Sequence, residues 1–175
     1  MSDMALFDEL TSRVLRRVLV YEFDVYGSPA PQGSKRAWVN PKTGRAQMRE
    51  QLHERIQSWR SDVRDTALKY RPEGFQLLDG ALVVDMVFTF TRPANQYGTG
   101  RNSAALKDSA PPRPKGKPDV SKLARSTEDA LTKILYKDDA LITEYGRLLK
   151  VYAGEDRDAL ASPGARIRIY TLENS

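Results

Sequence analysis

The ten residues "ALVVDMVFTF" (81–90) constrain this chain most. They are dominated by apolar, β-branched and aromatic side chains, with too few polar residues for a half-solvated alternation. Such a run reads as a buried strand, which needs neighbouring strands and a covering layer. "VLVYEFDVYG" (18–27) reads as a second strand, and the apolar alternation of "ARIRIYTL" (165–172) as another.

Helices supply the cover. In residues 49–70, Leu52, Ile56, Trp59, Val63 and Leu68 recur at helical spacing before Arg71-Pro72 ends the pattern. Residues 4–17 place Met4, Phe7, Leu10, Val14 and Arg17 at similar intervals and predict a short N-terminal helix. Another helix is predicted from about 121 to 135. Leu123, Thr127, Ala130, Leu131 and Ile134 fall there within an arc of about 100°, and Lys122, Arg125 and Asp129 within about 60° on the other side. The segment 141–153 fits a helix by the spacing of Leu141, Tyr145, Leu148 and Tyr152, and a strand by Gly146 and its Val/Ile/Tyr content. "AWVNPKTGRAQM" (37–48) suggests a hairpin turning at "NPKTG".

Residues 93–116 are rich in Pro, Gly, Asn, Ser and basic residues, and predict a long loop that is mobile or binds something. Reading it as a linker would leave roughly 60 residues behind it, a marginal core. A single domain over 1–175, built from strands and helices, is therefore expected.

Composition narrows the function classes. The 175 residues carry a net charge of +5, with one histidine and no cysteine. Disulfides, thiolate metal sites and Cys–His catalysis are thereby excluded, and zinc is a poor fit. His53, beside Glu54 on a helix, reads as a half-exposed polar residue. No GxxxxGK[ST] or GxGxxG occurs, so no nucleotide cofactor is expected. No apolar run approaches the 18 or so residues of a membrane span, and the N-terminus lacks a signal-peptide core, so a cytoplasmic protein is expected. The basic excess permits a polyanionic partner such as nucleic acid.

The stretch "KPDVSKLARSTEDALTKILYKDD" (117–139) concentrates five acids and five bases in 23 residues. Asp119 or Ser121 fits a helix N-cap, Arg125 and Asp129 an i,i+4 pair, and Asp138-Asp139 a turn. Taken together these roles fit less well. Adjacent carboxylates repel, and a helix C-terminus disfavours anions. If the chain folds back to bring 119 to 138–139, three carboxylates offer oxygen ligands to Mg²⁺ or Mn²⁺.

"KPDVSKLARSTEDALTKILYKDDALI" resembles the signature of the RusA family of Holliday junction resolvases, common in phages and prophages. Asp119, Leu123, Arg125, Asp129-Ala130-Leu131, Asp138-Asp139-Ala140 and Ile142 match it in order and spacing. "FDVYGSPAPQGSKR" is similar to the family's first strand and Pro-rich basic loop, and "PGARIRIY" to its last strand. The resemblance covers roughly 20–172, with residues 1–17 as an N-terminal extension and 93–116 as a long basic loop.

The resemblance implies an α/β (α+β) fold, a small mixed sheet packed with helices, in a homodimeric endonuclease that binds four-way DNA junctions and nicks two strands symmetrically with Mg²⁺, or Mn²⁺ in its place. It carries the metal ligands over onto Asp119 and Asp139, with Asp138 beside them, and a catalytic basic residue onto Arg125. Lys35, Arg36, Arg113, Lys115, Lys117 and Lys122 are the candidate phosphate contacts. Ser121 departs from the pattern, which has a second aspartate there. Two further readings follow: a branched-DNA-binding protein whose cleavage Ser121 impairs, and a small basic adaptor whose acidic face binds a protein.

Overall fold

The computed structural model describes residues 15–32 and 50–174. Four strands and two longer helices appear in the order β1 (Leu15–Tyr26), α1 (Glu50–Tyr70), β2 (Leu82–Phe90), α2 (Val120–Leu131), β3 (Ile142–Tyr152) and β4 (Gly164–Asn174). The strands form one sheet in the order β1-β4-β2-β3. β4 runs antiparallel to both β1 and β2, while β2 and β3 are parallel. The expected α+β class with a small mixed sheet is what the chain adopts.

Both helices pack on one face. Tyr21, Phe23 and Val25 of β1, Val84, Met86 and Phe88 of β2, and Ile167 and Ile169 of β4 meet Trp59 and Val63 of α1 and Leu123 and Leu131 of α2. The indole N–H of Trp59 donates to Thr127 Oγ1 at 3.1 Å, and the Thr127 hydroxyl donates to the Leu123 carbonyl at 3.0 Å. A buried polar pair thus fixes how the helices meet. On α1, Trp59 and Val63 are buried as expected, but the inward stripe continues to Ala67 rather than to Leu68, which is exposed.

β2 is buried on both faces because the β3–β4 connection crosses the sheet opposite the helices. Leu160 N–H donates to Thr89 Oγ1 there at 3.0 Å. The one charged residue of the apolar run, Asp85, is buried and fully partnered. It accepts from the Arg147 backbone N–H at 2.8 Å and from the Tyr170 hydroxyl at 3.1 Å.

Three expectations change. Residues 15–17 open β1 rather than close a helix; the remainder of that expected helix, the 37–48 hairpin, Lys35 and Arg36 lie outside the described residues. The ambiguous segment 141–153 is strand β3, because its N–H and C=O groups pair with β2. The helix expected to reach 135 stops at Leu131. Thr132 Oγ1 donates to the Glu128 carbonyl at 2.9 Å, Lys133 takes a left-handed φ of 65°, and Tyr136 turns inward to donate to the same Glu128 carbonyl at 3.1 Å. Burying Leu135 and Tyr136 outweighs another helical turn.

Parallel strands cannot be joined by a tight turn, so β2 reaches β3 through a crossover that contains α2. That connection carries the whole charged stretch. Residues 93–116 before it hold two short 3₁₀ turns, Ala94–Gln96 and Gly100–Asn102, and a bridge between Tyr97 and Leu106.

Candidate active site

Asp119 occupies the N-cap position of α2, with an extended backbone at φ −69° and ψ 138°, yet its side chain accepts no capping hydrogen bond. Its carboxylate lies 3.3 Å from Lys122 Nζ and is 55% exposed. Behind it, the Lys150 ammonium of β3 donates to the carbonyls of Gly116 at 2.6 Å and Pro118 at 2.8 Å. Burial pulls Lys150 below its ordinary pKa and Asp119 pulls it partly back. Lys150 therefore fixes the backbone that presents Asp119.

Ser121 and Arg125 are exposed on α2, and Glu128 follows on the same stripe at i, i+4 and i+7. Glu128 is buried and accepts a short hydrogen bond from the Tyr145 hydroxyl of β3. Burial raises its pKa above the ordinary glutamate value, the Tyr145 bond lowers it, and the neighbouring charges of Asp139 and Asp129 raise it again. Tyr145 is raised as well, by burial first and then by Glu128.

Asp129 does not pair with Arg125. It accepts from Arg60 of α1 and from Gln32 Nε2, the latter at 3.0 Å, and so ties α2 to α1 and to the loop after β1. Asp138 caps the 3₁₀ turn Asp139–Leu141 by accepting from the Ala140 N–H at 3.0 Å. Asp139 is left half-buried, facing the Glu128 and Tyr145 groups.

Asp119 stands before α2 and Asp139 in the 3₁₀ turn that follows it. Among the described residues no group of three or more acidic, histidine or cysteine side chains lies close enough to hold a metal. Glu128 and Asp139 are near enough that the Asp139 charge raises the Glu128 pKa, while the Arg125 charge lowers it.

The opposite sheet face is basic in composition but neutralised. Arg168 holds Asp158 by a hydrogen bond at 2.8 Å and keeps its pKa down at about 2, and Arg147 adds a second ion pair. Arg166 makes two bonds of 2.8 Å to Asp24. Arg113, an expected phosphate contact, pairs here with Asp156 at 2.9 Å.

Comparison with known proteins identifies the family. The family described as endodeoxyribonuclease RusA matches residues 28–161, a span holding β2, α2, β3 and both candidate carboxylates. The chain belongs to the RusA family. RusA proteins are crossover junction endodeoxyribonucleases that act on branched DNA and depend on a divalent metal, so this chain is a DNA endonuclease of that type. It is also similar to the uncharacterized protein YqaN of Bacillus subtilis (strain 168), 29% identical over 139 residues that make up 78% of this chain and 90% of that protein. No described helix is long and apolar enough to cross a membrane.

Tyr145 and Lys150 are the groups around this RusA site that sequence reasoning did not single out. Both sit in a segment whose secondary structure was ambiguous. Only the pairing of β3 beside α2 makes them neighbours.

Proposed function

We propose that this RusA-family nuclease resolves four-way junctions as a homodimer through Mg²⁺-dependent paired nicks, with Asp119 and Asp139 as the carboxylates that would hold metal, Asp138 beside them and Arg125 on the scissile phosphate. The observation that carries this reading is the Asp119 carboxylate, which stands exposed at the helix start beside Lys122 without capping the helix. A purely structural aspartate there would accept a backbone N–H.

Mg²⁺ is usually held by one or two carboxylates, with water and substrate phosphate filling its remaining positions, so it needs no closed cage of protein ligands. When bound, it supplies Lewis-acid activation of water and of the phosphoryl oxygens. The protein's own groups do the rest. Lys150 holds the 116–118 backbone and so aims Asp119. Tyr145 orients Glu128 and keeps it the more readily ionised. Arg125, exposed between the two ends of α2, offers a guanidinium to phosphate oxygens as charge builds on them. A two-fold dimer matches a substrate of approximate two-fold symmetry, placing equivalent sites on equivalent strands.

The test is nicking of a synthetic four-way junction with and without Mg²⁺, beside linear duplex of the same sequence. Symmetric nicks that need the metal and spare the duplex are expected. Selective junction binding with no cleavage at any Mg²⁺ or Mn²⁺ concentration would favour the reading in which Ser121 has cost this chain its activity.

A further inference from the structure

A cleft of about 440 Å³ opens between the 93–118 connection and the ends of β2 and β3. Lys107, Lys115, Lys117 and Lys150 line it, and no acidic residue does. In a chain with 23 acids, that is a local field of one sign, suited to an anion. The walls are otherwise apolar and flat, from Phe90, Pro93, Pro111 and Pro118, and Asn95 and Gln96 add amide donors and acceptors. Inorganic phosphate alone has no use for such walls, whereas a nucleobase does. The volume falls within the range of small-molecule pockets and exceeds what a phosphate group needs.

The cleft is also built. Arg92, buried beneath it, donates to Glu155 at 2.7 Å, to Gln96 at 2.6 Å and to the Pro111 carbonyl at 3.0 Å, and lies 3.8 Å from the Tyr152 ring centroid. Gln96 Nε2 in turn donates to the Tyr152 hydroxyl at 3.1 Å. Its floor ends on Lys117-Pro118, the residues directly before Asp119.

We infer that this cleft takes one unpaired nucleotide of the DNA strand that runs to Asp119, the base against the proline and phenylalanine walls and the phosphate among the lysines. This rests on the nuclease reading above and deepens it: strands at a junction centre can offer an unstacked base, and an intact duplex cannot without being opened.

Binding of a fluorescently labelled short oligothymidylate, measured by anisotropy in chelator at low salt, tests the cleft without any cleavage. The strand should bind more tightly than a duplex of equal length. Ala110→Trp, which fills the cleft without altering charge, should weaken strand binding by about tenfold or more while sparing duplex. Ser109→Trp, at an exposed position of the cleft lining, should do the same should the first tryptophan variant misfold. Equal affinity for strand and duplex, or unchanged strand binding in both variants, would overturn the assignment. Displacement of the strand by free thymidine monophosphate at matching concentration would also overturn it, because the site would then be one for a mononucleotide. Junction nicking with Mg²⁺ on the same wild-type sample reports on the nuclease reading separately, since strand binding needs no metal.

Discussion

The Tyr145 hydroxyl donates to the Glu128 carboxylate, joining β3 to α2 at the point where Asp139 also faces them. Burial raises the Glu128 pKa, and a group raised in the folded state binds its proton more tightly there than in the unfolded chain. Its stabilising contribution is therefore greatest at low pH and is lost as pH rises from the ordinary glutamate value through the raised one. In chelated protein, Glu128→Gln should gain stability relative to wild type as pH rises across that window. Urea denaturation midpoints from about pH 4 to about pH 8 would show the difference opening with pH. A difference that stays constant would contradict the shift.

Asp119→Asn and Asp139→Asn should each abolish nicking while leaving junction affinity nearly unchanged, because each removes one metal-binding charge and leaves the lysines in place. Arg125→Ala should slow single-turnover cleavage by more than it weakens binding. Equal losses in both would make Arg125 a phosphate anchor instead. Mg²⁺-dependent cleavage by either asparagine variant would remove that carboxylate from the site.

Ser121 can now be separated from the helix cap, since Asp119 holds the N-cap position and Ser121 lies exposed in the first turn. Ser121→Asp adds a carboxylate on the stripe that continues to Arg125 and Glu128. The Mg²⁺ concentration for half-maximal cleavage should fall several-fold, and the advantage of Mn²⁺ over Mg²⁺ should shrink. Metal titrations of wild type and variant that superimpose would show that position 121 does not meet the ion.

Arg92 should be the most costly arginine to lose on this side of the sheet. Arg92→Ala removes a buried guanidinium with charged hydrogen bonds to Glu155 and others to the 93–116 loop, at a cost of about 2–3 kcal/mol. Hydrogen exchange should accelerate in residues 93–118 ahead of the sheet. Arg92→Lys keeps the charge but not the planar fork, and should restore little of that protection.

Gly146 should tolerate no side chain. A Cβ there would stand 2.4 Å from Asp85 Oδ1, the oxygen that accepts the Arg147 N–H. Gly146→Ala should lower stability by about 1–3 kcal/mol in a thermal or urea melt, and an unchanged melt would mean Asp85 moves aside freely.

The strands and helices that this sequence states most clearly are those with one dominant period. The run at 81–90, the alternation at 165–172 and the stripe through Trp59 and Val63 each announce a buried face, because burial acts on neighbouring residues in a fixed repeat. The signature around Asp119 and Asp139 was likewise legible, since it is a local pattern of residue types. The chain by itself could not decide 141–153, where helical spacing and strand composition conflict; pairing with β2 settled it. Nor could it end α2 at Leu131, because the gain from turning Leu135 and Tyr136 into the core appears only when the sheet is present. The same holds for the pairing of Glu128 with Tyr145 and the cleft of lysines under the long loop. These are contacts between residues distant in sequence, and their energies depend on which strand lies beside which helix.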